Sequence, residues 1–131
     1  MSSISVLILE DDPERVLSFY RDFFKDNLIV VNNADDAKWM LGMKKFDLIC
    51  LDHDLGGEIF VESDEQNTGY QVTKAIPDTF NNAASVIIHS FNHPAARKMM
   101  LFLEDCDKYT GNVILAPFGT WNKSSLKGIA Q

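Results

Sequence analysis

The chain has 131 residues, 46% of them hydrophobic, with a net charge of −7 and a sequence pI near 4.8. That length predicts one domain, residues 1–131, and nine Phe argue for a packed core instead of a disordered segment. The acidic balance excludes a polynucleotide groove, which needs clustered Lys and Arg, and no apolar run approaches the ~18 residues that span a bilayer.

The start, "MSSISVLILEDD", has no basic region and does not read as a secretory leader, so a cytoplasmic protein is expected. Within it "ISVLIL" (4–9) is apolar on both faces, as a central parallel strand requires. Asp12-Pro13 reads as a helix N-cap and first turn, and Val16, Tyr20, Phe23 and Phe24 carry helical spacing to about residue 26. "LIVVN" (28–32) is a second strand. Asn33 with Asp36 forms a capping arrangement before the helix "DDAKWMLGMKK", in which Trp39, Met40 and Met43 read as core. "FDLICL" (46–51) is the third strand, and "TGYQVTKAI" (68–76) a short helix that stops before Pro77. "SVIIHS" (85–90) is the fourth strand, "PAARKMMLFLEDCDK" the longest helix and "NVILA" (112–116) the fifth strand, followed by a polar tail. Cys50 and Cys106 lack metal-ligand spacing and read as packing residues.

Strands alternating with helices predict a doubly wound, five-stranded parallel α/β sheet. Ligands of such sheets bind beyond the carboxyl ends of the strands, and the polar residues of this chain gather there. Strand one ends in Glu10-Asp11-Asp12, strand three in Asp52-His53-Asp54, and strand four in His89-Ser90, with Asn92 and His93 just beyond. With strand order 2-1-3-4-5, Asp11, Asp12 and Asp52 meet, with Asp54 a weaker fourth candidate that could simply form a turn before Gly56-Gly57. Carboxylates ~4 Å apart repel by about 4 kcal/mol at an effective dielectric of ~20, so a hard divalent ion, Mg²⁺ or Mn²⁺, is expected among them. Asp12 has an alternative task as a plain N-cap.

All three histidines, His53, His89 and His93, fall at strand carboxyl ends, where an imidazole serves as metal ligand, acid–base group or phosphate donor. Each has a bland alternative: strand alternation sets His53 opposite Asp52 and His89 opposite Ser90, and His93, just before Pro94, could simply help start the helix. The segment 55–67, with a Gly56-Gly57 pivot and the apolar "EIFV", is either a lid or a surface excursion with a small hairpin. Phe118 and Trp121 either pack on the open end of the sheet or stack on a base.

The stretches "VLILEDDP", "FDLICLD", "VIIHS" and "APF" resemble the response-regulator receiver domain over nearly the whole chain. The resemblance implies that Asp11 and Asp12 hold Mg²⁺, that Asp52 is the phosphoacceptor and that Ser90 is the hydroxyl ending strand four. It also implies a Lys at the end of strand five, where this chain has Ala116. The interval from Asp52 to Gly69 is long, and the tail "NKSSLKGIAQ" leaves the terminal helix short or missing. "LDHDLGG" with "HSFN" is more similar to the cyclic-phosphate processing receiver domains. That likeness implies a metal-dependent phosphodiesterase-like enzyme acting on a small cyclic or nucleotide phosphate. Asp11, Asp12, Asp52 and Asp54 would be its metal ligands. Asp52, His53, His93 and Ser90 would act in catalysis, and Ser90, Asn92 and His89 would bind phosphate. Two other readings stand beside it: a stand-alone receiver phosphorylated on Asp52, and a non-catalytic module that binds a protein partner.

Overall fold

The computed structural model describes residues 3–126. The last residues of the polar tail, 127–131, lie outside the described residues. The elements run β1 (Ser5–Leu9), α1 (Pro13–Asp22), β2 (Asn27–Val31), α2 (Ala34–Met43), β3 (Leu48–Leu51), α3 (Gly69–Ala75), β4 (Ser85–Ile88), α4 (His93–Glu104) and β5 (Val113–Leu115). The five strands form one parallel sheet in the order β2-β1-β3-β4-β5. No helix among the described residues is long and apolar enough to cross a membrane.

Side chains of successive strand residues point to opposite faces, and the two faces are covered differently. Leu7, Leu9, Ile49, Leu51, Val86 and Ile88 pack with α2, α3 and α4. Val6, Ile8, Leu48, Cys50 and Ile87 face Phe19 and Phe23 of α1, with Ala116, Phe118, Trp121 and Leu126 of the tail beside them. No terminal α-helix follows β5 among the described residues; a 3₁₀ turn at Lys123–Ser125 takes its place. Phe118 and Trp121 sit against Phe19, with centroids 5.6 and 6.0 Å away, so they pack on the sheet as substitutes for that helix.

Asp12 caps α1 by accepting from the Glu14 N–H, and Pro13 opens the helix. The buried stripe of α1 is Phe19 and Phe23, whereas Tyr20 and Phe24, which carried the helical spacing in the sequence, are exposed. Phe23 ends the helix instead of continuing it to residue 26. Helix α2 is capped by Asn33, which exchanges two 2.9 Å hydrogen bonds with Asp36. It buries Ala34, Ala37 and Leu41, a narrow stripe that lets the helix sit close to the sheet. Trp39 and Met43, expected in the core, fall on the opposite side and are about two-thirds exposed (64% and 65%).

At the end of the sheet away from the strand carboxyl tips, buried Asn81 joins two connections. Its Oδ1 accepts from the Phe46 N–H at 2.7 Å, and its amide donates to the carbonyls of Leu41 and Lys44. Asn81→Ala leaves a buried donor and two carbonyls unpaired, so it lowers stability by about 3 kcal/mol. A urea-denaturation midpoint measures the loss, and the distant carboxylate cluster is expected to be unaffected.

Candidate active site

Register builds the site. Leu9 pairs with Leu51, and Leu51 with Ile88, so the residues that follow them continue the same row. The backbone keeps them level: the Asp52 N–H donates to the Leu9 carbonyl and the His89 N–H to the Leu51 carbonyl. Alternation from Ile8, Cys50 and Ile87 turns Glu10, Asp52 and His89 to the α1 face. One ligand atom from each lies within 4.8 Å of the others, and all three residues are buried.

Their protonation follows from their partners. Burial acts to raise the Glu10 pKa, but hydrogen bonding and charge from His89, the Asp12 N–H and Arg15 outweigh it, leaving Glu10 below the ordinary carboxylate range. His89 Nε2 lies 3.0 Å from Glu10 Oε1, while the Asp11 and Asp12 N–H groups donate to Oε2. Asp52 has fewer donors. Burial, followed by the negative charge of Glu10, pushes its pKa up to about 8, against the opposing effects of the His53 N–H and Arg15. Burial and the facing carboxylate thus favour the protonated form of Asp52, while the donors around Glu10 favour its ionised form.

In front of the row lies a cleft of about 350 Å³, lined among others by Asp11, Asp12, Arg15, Asp52, Asp54, Ser90 and Asn92. Asp11 Oδ2 accepts from the Gly57 N–H at 2.8 Å. Asp12 splits between its cap and Arg15, whose Nε is 3.5 Å from Asp12 Oδ2. Arg15 also reaches Glu10 at 3.7 Å and Asp52 at 3.9 Å.

The segment 6–105 matches the model of the cyclic-phosphate processing receiver domain family. The chain belongs to that family. No curated protein is similar enough in sequence to count as a relative. Among solved structures the chain is similar to the receiver domain of the sensor histidine kinase PA1611 of Pseudomonas aeruginosa PAO1, which holds a magnesium ion in its active-site cleft. They share 18% identity over 99% of this chain and 96% of that one, with a TM-score of 0.64. A Burkholderia pseudomallei response regulator with a phosphorylated aspartic acid, calcium and citrate aligns at 18% identity, covering 97% of this chain and 66% of that one, at a TM-score of 0.62. A CheY-like receiver from Methylobacillus flagellatus gives 16% identity, 98% and 96% coverage and a TM-score of 0.62. At these identities the likeness shows the receiver fold.

Within this receiver domain the remaining candidate residues have separate tasks. His53 follows the opposite strand phase to Asp52 and is buried on the other side, with Nδ1 2.8 Å from Asp54 Oδ1 and Nε2 3.0 Å from Ser63 Oγ. Both ring nitrogens have partners, and the ring itself is not among the residues that line the cleft. Asp54, expected among metal ligands, lines the cleft, but its oxygens accept from His53, Asn92 and the N–H groups of Phe60 and Val61. Burial works to raise its pKa, yet those hydrogen bonds prevail and hold it below the usual range. It is a loop anchor.

Ser90 lines the cleft, and its Oγ accepts from the Asn92 N–H. Asn92 also lines the cleft; it caps α4 and its amide donates to Asp54. His89 holds Glu10 from the α1 side, against Phe19, and does not line the cleft. His93 is exposed at the start of α4, outside the cleft lining.

The segment after Asp54 is fastened at its base by a bridge to Thr68. Gly56 and Gly57 have φ of 75° and 77°, a left-handed turn open to glycine at little cost. Ile59 beyond them is exposed and touches the cleft.

Two residues that matter here, Glu10 and Arg15, were not among the sequence candidates. Counting strand alternation onward from Val6 and Ile8 identifies Glu10. Arg15 has only its one-turn spacing from Asp12 as a signal.

Proposed function

We propose that this receiver domain is a divalent-cation-dependent phosphoesterase acting on a small cyclic or nucleotide phosphate, in a cytoplasmic setting. The observation that carries the reading is the buried Glu10–Asp52 pair, in which Asp52 is pushed up to about 8. Two such carboxylates are tolerable together only with a shared proton or a cation.

The donors fit Mg²⁺ or Mn²⁺, which prefer carboxylate oxygen. Asp52 and Asp11 would hold the ion in the cleft, with Asp12 beside them and Glu10 behind. When bound, the ion supplies charge for phosphoryl oxygens and lowers the pKa of a bound water. The chain's own residues do the rest. Asp52 yields its proton on ionising, His89 and the N–H groups of Asp11 and Asp12 hold Glu10 in place, and the Ser90 hydroxyl is available to a phosphate oxygen. The family description, cyclic-phosphate processing, supports the substrate class.

The test is incubation with Mg²⁺ or Mn²⁺ and a panel of cyclic nucleotides, with turnover of at least one member expected. Magnesium binding at pH 7 should also release close to one proton, read as a buffer-dependent heat in calorimetry. Cation binding without turnover of any panel member counts against the reading. A second reading, phosphoryl transfer to Asp52, draws support from its place at the tip of β3, and Ala116 weighs against it. Labelling by acetyl phosphate that Asp52→Asn abolishes would establish it. Failure to bind any divalent ion favours a protein-binding module.

A further inference from the structure

The cleft is lined by five carboxylates, Asp11, Asp12, Asp52, Asp54 and Glu58, and among its described lining residues the one cation is Arg15. An anion entering this field needs positive charge from the protein, and Ala116 at the end of β5 supplies none.

Arg15 is held in a particular way. Its nitrogens approach Asp12, Glu10 and Asp52 at 3.5, 3.7 and 3.9 Å, all longer than the 2.7–3.2 Å range of close N–H···O bonds. Its guanidinium carbon lies 4.9 Å from the Phe91 ring centroid and 5.6 Å from that of Phe118. Charge and two aromatic faces thus keep it in place, while its fork of N–H donors makes no close hydrogen bond among the described residues. Phe91 follows Ser90 directly, so the ring ties the guanidinium to the hydroxyl side of the cleft.

We propose that Arg15 is the phosphate-binding cation of this cleft. It balances the carboxylates while no dication is bound, and it offers a bidentate fork to phosphate oxygens once the ion has taken over that task. The inference builds on the cation-dependent reading above and assigns the anion to a residue of α1.

Wild type, Arg15→Met and Arg15→Lys are titrated by calorimetry, first with Mg²⁺ alone, then with inorganic phosphate at saturating Mg²⁺. Thermal midpoints confirm that each variant is folded. In Arg15→Met, Mg²⁺ binding is expected to be equal or tighter, because a competing charge is gone, while phosphate binds about tenfold weaker or worse. Arg15→Lys is expected to recover part of that loss, since it restores charge without the fork. Unchanged phosphate affinity in folded Arg15→Met overturns the assignment and leaves the cation reading intact. So does a parallel loss of Mg²⁺ and phosphate, which marks Arg15 as a structural brace. Wild-type protein that binds no Mg²⁺ overturns both.

Discussion

On the phosphoesterase reading proposed above, Asp52→Asn is expected to reduce turnover by about a thousandfold or more while making the metal-free protein more stable at pH 8. The opposite signs have one cause. In the folded protein the Asp52 pKa is pushed up to about 8, from an ordinary 3.8. The folded state therefore holds this proton more tightly than the unfolded chain. Its contribution is fully present below about pH 4 and is lost as pH rises through the folded value. Asparagine imitates the protonated carboxyl at every pH. The two proteins should thus match near pH 4 and diverge upward, with the variant ahead by on the order of 5 kcal/mol at pH 8. For a domain of this size that is roughly 15–20 °C in thermal midpoint. Magnesium should narrow that gap: an ion at a hundred times its Kd stabilises wild type by about 2.7 kcal/mol and has little to hold in the variant. A thermal-melt series across pH, with and without Mg²⁺, reads all of this; a flat pH difference would contradict the assigned proton.

Gly69→Ala is the second large effect, and it acts through backbone. A Cβ at Gly69 would lie 1.9 Å from the Asp52 carbonyl oxygen and 2.9 Å from the His53 Cα. Neither neighbour is a flexible side-chain end, and the Gly69 N–H donates to the His53 carbonyl at 3.0 Å, fixing the approach. Relief requires moving α3 away from the β3 tip, at a cost of about 3 kcal/mol, with weaker cation binding in whatever folds. Gly42, exposed in α2 with open space around it, is the control: alanine there should stabilise by about 0.5–1 kcal/mol. Denaturation midpoints of the two variants should move in opposite directions.

The architecture was legible because its signals are local and repeated. Apolar strands, capped helices and strand-end charge recur along the chain, and the order 2-1-3-4-5 agrees with the observed sheet. Helix phase was harder to read. In α1 adjacent aromatics occur as Phe19-Tyr20 and Phe23-Phe24, and the sheet takes the first of each pair, leaving Tyr20 and Phe24 outside. Trp39 was misplaced for a related reason: α2 reaches the sheet through alanines, which carry little hydrophobic signal. At the site, acidic residues were visible as a group, but their division of labour depends on which donors each meets. Asp54 and Glu10 are distinguished by partners far away in sequence, Asn92 for one and His89 for the other. Arg15 was invisible for the same reason, because its meaning comes from carboxylates and rings on four separate segments.

The pairing of Leu9 with Leu51 and of Leu51 with Ile88 has a consequence for how such proteins diversify. Glu10, Asp52 and His89 hang from one row across three strands whose alignment is enforced by main-chain bonds, so exchanging one group leaves its neighbours at the same separation. Sister proteins carrying other side chains at positions 10, 52 and 89 would inherit the spacing and differ in reactivity. An insertion or deletion of a single residue within β1 or β3, by contrast, would rotate a tip to the far face and take its carboxylate out of the cluster in one step.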